Sequence, residues 1–191
     1  MVVIAAVVGC SGPEAPVPDS DETITHEATG VPFPPELSGY VRVNSSVSDT
    51  GATARYEKLY GGVIASVDVL ISKNPEPPEK PRLSTLDPSP NQQAHMEQVV
   101  ADIEAAGDHP EHRFIAYYDV PVTRGEKNAF FGKRAFFRTA DNRFMNAYIF
   151  EFEDWMIEYR TEFHRDMEWI AESFIFDHSW GPRAAADPKK K

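Results

Sequence analysis

The sequence predicts an α+β domain: an antiparallel sheet of about seven strands with two helices. Three features carry that prediction. From 155 to 163, Trp155, Ile157, Tyr159, Thr161 and Phe163 alternate with Met156, Glu158, Arg160 and Glu162, a period of two that no helix face produces. That run reads as a strand with one buried side; just upstream, Tyr148, Phe150 and Phe152 share one side of a second run and Met145, Ala147 and Ile149 the other, so this second strand is expected to be central and covered on both faces. Finally, most strand-like runs are joined by short reversals, which favours antiparallel pairing over alternating crossovers.

In chain order, Phe33, Pro34, Pro35, Glu36 and Leu37 read as a turn that docks Phe33 and Leu37 on the core, and a first strand starts over 40–43. A second strand alternates weakly over 52–59. After a Gly61-Gly62 turn, Val63, Ala65, Val67, Val69 and Ile71 line one face of a third. Asp68 is the one charge inside that run and reads as a solvent-facing or hydrogen-bonded structural carboxylate. Residues 74–90 hold Pro75, Pro77, Pro78, Pro81, Pro88 and Pro90 and are expected to form a loop, of a length that is either functional or a surface excursion. Asn91 caps a helix in which Met96, Val99, Val100 and Ile103 fall on one face, ending at Gly107. Strands over 113–122 and 130–139 follow, separated by a turn at 124–126, and Asp141-Asn142 reverses into the central pair. Asp166 then caps a last helix with Met167, Ile170, Ala171, Phe174 and Ile175 on one stripe. One helix between the third and fourth strands and another at the end, around a sheet apolar on both faces, imply a three-layer sandwich.

A chain of 191 residues suits one domain of 33–177 plus tails, and its hydrophobic fraction of 41% supplies a core without disulfide, metal or other cofactor. The formal net charge of -11 argues against a nucleic-acid partner, which needs a basic surface. It serves solubility and leaves room for a basic partner or cationic ligand. The polar tail over 178–191 ends in three lysines, too short a basic patch to change that conclusion.

The amino terminus points to a location. Residues 1–8 are apolar, and Val7, Val8 and Gly9 precede the single cysteine, Cys10, which Ser11 and Gly12 follow. This resembles the lipobox of bacterial lipoprotein precursors, in which small residues admit the backbone to a peptidase and the thiol accepts the diacylglyceryl group. The resemblance implies a signal segment over 1–9, a lipidated Cys10 and attachment to a membrane. With Ser11 rather than an aspartate after the cysteine, it implies the outer membrane, facing the periplasm, of a double-membraned cell. The positively charged n-region of such signals is missing, which points to a true start upstream. Eight apolar residues fall well short of the roughly 20 that span a bilayer. Residues 10–32 carry Glu14, Asp19, Asp21, Glu22 and Glu27 with no lysine or arginine, and Pro13, Pro16 and Pro18 near their start. They read as an acidic tether in which His26 is solvated.

Over 33–177 the order of elements, opening on Phe33, Pro34, Pro35, Glu36, Leu37, Ser38, Gly39 and Tyr40, is similar to PsbP-type domains of bacterial envelope proteins. That resemblance implies an accessory or binding protein and carries no catalytic residue across.

Candidate chemistry is sparse. Asp108, His109, Pro110, Glu111 and His112 form the densest set of potential metal ligands, but the proline prevents a helical face that would converge His109 and His112. His164 lies between Glu162 and Asp166, a trio able to tune an imidazole for acid-base work, although such a strand-to-helix corner is ordinarily surface electrostatics. Glu151, Glu153, Glu158 and Glu162 offer carboxylates for glycosidase-like pairing, yet alternation puts Glu158 and Glu162 on the wet face of a strand. Ser38-Gly39, Ser45-Ser46 and Ser66 show no nucleophile elbow, and no glycine loop cradles a phosphate. Tyr117, Tyr118, Phe130, Phe131, Phe136, Phe137, Tyr148 and Tyr159 are explained by core packing; any that line a groove would suit a small apolar or aromatic ligand. The expectation is a lipid-anchored envelope protein that binds or supports a partner, with an envelope hydrolase or metal enzyme as its rival.

Overall fold

The structure, a computed structural model, describes residues 13–74, 90–105, 113–124, 128–138, 143–152, 154–164, 173–175, 177 and 178, with the backbone alone at 113–124, 128–131, 152 and 164. Its elements are β1 (Ile24–His26), β2 (Val31–Phe33), β3 (Glu36–Leu37), β4 (Tyr40–Ser48), β5 (Gly51–Tyr60), β6 (Val63–Lys73), α1 (Pro90–Ala105), β7 (Arg113–Arg124), β8 (Asn128–Arg138), β9 (Arg143–Phe152) and β10 (Trp155–His164). Residues 173–175 add a helical turn.

Two meanders make one sheet in the order β3-β4-β5-β6-β10-β9-β8-β7. The first runs inward from β3 to β6. The chain then passes through α1 to the far edge at β7 and returns strand by strand, so that β10 closes against β6, antiparallel from Trp155 opposite Lys73 to Glu162 opposite Ser66. The pair β9 and β10 thus sits in the interior of the sheet, the central place expected of it. Strictly antiparallel pairing follows from the short reversals, and the Gly61-Gly62 turn takes the positive φ values of 58° and 83° that a tight hairpin requires.

The two faces bury different cores. On one, α1 lays Met96, Val99, Val100 and Ile103 against Ala135, Phe137, Ala147, Ile149 and Met156. On the other, a larger aromatic cluster that includes Tyr40, Tyr56, Tyr148, Phe150, Tyr159 and Phe163 is closed by Val31 and Phe33 from the amino-terminal segment and by Phe174 and Ile175 from the carboxy-terminal turn. Phe174 and Ile175 therefore lie on the core, as their stripe predicts; Asp166, Met167, Ile170 and Ala171 fall outside the described residues.

Several expectations are corrected. The sheet has eight strands, because the segment read as a turn pairs as β3, with Glu36 opposite Val41. The first long strand does start at Tyr40 and runs to Ser48, with a register shift against β5 between Arg42 and Asn44. The solvated tether is shorter than 10–32: β1 and β2 form a hairpin, with Ile24 opposite Phe33, packed on the sheet. His26, expected in solvent, is 1% exposed, its ring edge-on to Trp155. Two strands of three residues are too short for alternation to stand out in an acidic, proline-containing stretch, and their partners are remote in sequence.

The strap that results is held by Arg42, whose side chain is fully buried. Its Nε donates to Asp19 Oδ1 at 2.7 Å, Nη1 to the Phe33 carbonyl, and Nη2 to the carbonyls of Glu22 at 2.9 Å and Ser20 at 3.4 Å. A buried guanidinium is tolerable only when its donors are met in this way. Asp19 also accepts from Ser45 Oγ at 2.6 Å. Burial works against the Asp19 carboxylate, but the hydrogen bonds from Ser45 and Arg42 and the charge of Arg42 outweigh it and hold its pKa below the ordinary value.

Candidate functional site

The stripe on α1 covers β8, β9 and the border of β10. Gln92 fixes its start by donating from Nε2 to the Ile149 carbonyl at 2.9 Å. Beyond that border the same face of β4, β5 and β6 is polar, and Asn44, Thr53, Arg55, Asp68, Leu70 and Arg160 line a cleft of about 290 Å³. Register assembles it. Arg55 stands opposite Asp68 on β6, and Asp68 stands opposite Arg160 on β10, so three adjacent strands place cation, anion and cation in one row.

The charges are already matched. Arg55 Nη1 donates to Asp68 Oδ2 at 3.0 Å and Oδ1 at 3.2 Å, and its Nε donates to Glu57 Oε1 at 2.9 Å. Asp68 is thus the structural carboxylate the sequence implies. Burial pushes its pKa up, and Arg55 offsets this only in part. At the border with α1, Glu158 accepts from Arg160 Nε at Oε1 and from His95 Nε2, 3.1 Å away, at Oε2. Only 3% of Glu158 is exposed, which corrects its expected place on a wet face: α1 lies over that end of β10. Burial alone would raise its pKa, but the hydrogen bonds from His95 and Arg160 and their charges prevail and hold it below the ordinary value. An ionised carboxylate only accepts, so His95 presents Nε2–H to it.

Chemically, the cleft offers guanidinium, amide and hydroxyl groups to a small polar group. Glu158, held ionised by its two partners, is a poor proton donor. The arrangement suits recognition more than proton transfer.

On the opposite face a second hollow of about 520 Å³ lies between Thr23, Gly30, Pro32, Pro34, Leu37, Asp177 and His178. His178 is its hinge-pin. Its Nε2 donates to the Pro32 carbonyl at 2.7 Å, and its Nδ1 accepts from the Tyr159 hydroxyl at 2.7 Å. One neutral tautomer satisfies both bonds, so this histidine ties the carboxy-terminal turn to the strap and the core.

Of the candidates singled out from sequence, the described carboxylates Glu151, Glu158 and Glu162 each have their own separate partner. Glu162 accepts from Arg143 Nη1 at the far end of β10 from Trp155, and His164 stands opposite Arg143 in the sheet. Asp166, the side chain of His164, the loop with His109 and His112, Glu153, residues 75–89 and Cys10 lie outside the described residues. Glu151 accepts from Asn74 Nδ2 at 3.1 Å. Phe137, Tyr148 and Tyr159 are core residues and Phe136 packs against that core, as read; the side chains of Tyr117, Tyr118, Phe130 and Phe131 are outside the described set. Among the described residues no three His, Cys, Asp or Glu side chains group as metal ligands, and no helix is long and apolar enough to cross a membrane. Sequence reasoning missed Arg42, His95, Arg160 and His178. Arg42 left a signal, since it is a charge in phase with buried Tyr40 on the same strand.

Fold and cleft together define a class, an α+β domain with a polar cleft beside the long helix α1. Compared with known proteins, the chain matches no family model and no curated protein.

Proposed function

We propose that this chain is a lipid-anchored cell-envelope protein whose domain acts as a binding or accessory module, with Cys10 as the lipidated residue. The observation that carries the binding half is the cleft: its lining carboxylate, Asp68, and the neighbouring Glu57 and Glu158 are each engaged by a basic side chain, which fits a recognition surface better than a catalytic centre. The anchoring half rests on Val7, Val8, Gly9 and Cys10 and on the acidic leash that follows. The finer likeness to PsbP-type sandwiches is part of the same proposal, supported by an antiparallel sheet with α1 on one face and the strap on the other.

In a double-membraned cell the domain faces the periplasm from the outer membrane, where an envelope protein is the partner that suits the polar cleft, a small apolar ligand would suit instead the hollow by Pro32, Pro34 and Leu37, and nucleic acid is not a partner. The rival reading, a hydrolase built on His164, Glu162 and Asp166, is weakened by the engagement of Glu162 with Arg143. The metal variant at His109 and His112 is separable by metal analysis of the purified protein. Growth with labelled palmitate tests the anchor: label lost in Cys10→Ala is expected, and unlabelled product free in the cytosol with its first ten residues intact overturns it. Co-purification from intact envelopes tests the module. An associated component lost on Arg55→Glu with Arg160→Glu is expected; one that persists unchanged removes the cleft from the reading.

A further inference from the structure

Among the described residues, the exposed large hydrophobic side chains are Val17, 74% exposed, Tyr60, 49%, and Ile64, 40%. Val17 lies upstream of the strap. Tyr60 and Ile64 flank one turn, and a Cβ added at either intervening glycine would meet nothing within 4 Å, so this tip projects clear of the domain. Tyr60 pairs with Val63 across the turn and Leu59 with Ile64, so the whole tip is apolar where a hairpin end is ordinarily polar.

We infer that the β5–β6 hairpin tip is a membrane-contact point, at which Tyr60 and Ile64 rest in the headgroup and acyl boundary of the bilayer. The inference rests on the proposed anchor and adds an orientation to it. Tyrosine suits that boundary, with an apolar ring and a hydroxyl that reaches water.

Reach and composition orient the domain tip-down. Asp19 is fixed to Arg42, which stands opposite Tyr56; the tip at Gly61 and the opposite turn at Gly51 each lie about 17 Å further along the strand. The nine residues from Cys10 to Asp19 span at most about 30 Å, so an anchor at Cys10 holds either end within reach of the surface. Composition decides between them. The opposite end has the polar turn Ser48, Asp49, Thr50 and Gly51, with Glu27, Glu151 and Asp154 set against Lys73, charges that an anionic headgroup layer repels, whereas the tip presents Leu59, Tyr60, Val63 and Ile64.

The experiment supplies the anchor independently of biology. Cys10 is the only cysteine, so the purified full chain is coupled through it to a maleimide phospholipid in vesicles of phosphatidylethanolamine and phosphatidylglycerol. Amide hydrogen exchange is then compared with that of the chain coupled to a soluble maleimide. Exchange over 59–65 is expected to slow by about tenfold on vesicles, and the slowing is expected to disappear in Tyr60→Asp with Ile64→Asp. Unchanged exchange at the tip, slowing confined to the turn at 48–51, or equal slowing of the soluble conjugate through contact between copies would each overturn the inference. Because the coupling is chemical, a failed palmitate label would leave this result standing, and the converse also holds.

Discussion

The two faces of the sheet are closed by opposite means. On the helix face a single continuous element, α1, brings its own apolar stripe, makes polar contacts to the sheet through Gln92 and His95, and stops short of β4 to β6. On the strap face no one element suffices: a hairpin from before the sheet and a turn from after it meet over the aromatic core, held by buried Arg42 and by His178. A helix satisfies its own backbone and can cover a face alone, whereas strap and turn must borrow partners. The strap face is therefore the more tightly determined, and the helix face keeps open surface for a partner.

Breaking that difference begins with Arg42. Arg42→Ala removes donors from buried carbonyls and is expected to cost about 3–5 kcal/mol in urea unfolding, with hydrogen exchange rising first over 20–33. A loss below about 1 kcal/mol would mean that apolar packing alone holds the strap.

On the helix face the parallel change is smaller, because Arg160 and His95 keep access to water. Glu158→Ala is expected to cost about 2 kcal/mol. Its pKa lies below the ordinary value of 4.5, so wild-type Glu158 contributes stability at neutral pH that is lost as pH falls through the depressed pKa. Glu158→Gln lacks that loss, and the two stability curves are expected to converge on acidification. Parallel curves would show that the carboxylate's charge is immaterial.

Gly132 probes packing between strap-face strands. A Cβ there would clash with Cε1 and Cδ1 of Phe150, a fully buried ring. Gly132→Ala is expected to cost about 1–3 kcal/mol as that ring shifts, measured by thermal melting.

His26 refines the comparison by pH. Burial lowers its pKa below 6.5, with the Ser48 backbone and Asp49 opposing. The folded state thus prefers the neutral ring, and stability is lost as pH drops below the ordinary histidine value. His26→Phe is expected to flatten that limb of the profile. Smallest is Asp68→Asn in the open cleft: burial already disfavours its charge, so a change of about 0–1 kcal/mol is expected in urea unfolding.

Periodicity was legible wherever it was long. The β10 alternation, the α1 stripe and the Gly61-Gly62 turn all follow from local chemistry, and each is found where the pattern places it. What escaped were contacts between segments far apart in the chain. Nothing near Glu158 announces that His95, on a helix 63 positions upstream, lies against it, so alternation alone assigned that carboxylate to water. The strap escaped for the same reason: Ile24, His26, Val31 and Phe33 are too few to outweigh acidic, proline-bearing neighbours until Arg42 is seen to gather them.

The sequence by itself determined the long strands and α1, the apolar stripe of each of β6, β10 and α1, and the direction of strand pairing, because those depend on neighbours a few positions away. Tertiary structure alone decided which charges are buried and with whom, because burial of Arg42, Glu158 and His178 depends on elements that meet only when both meanders have closed at β6 and β10.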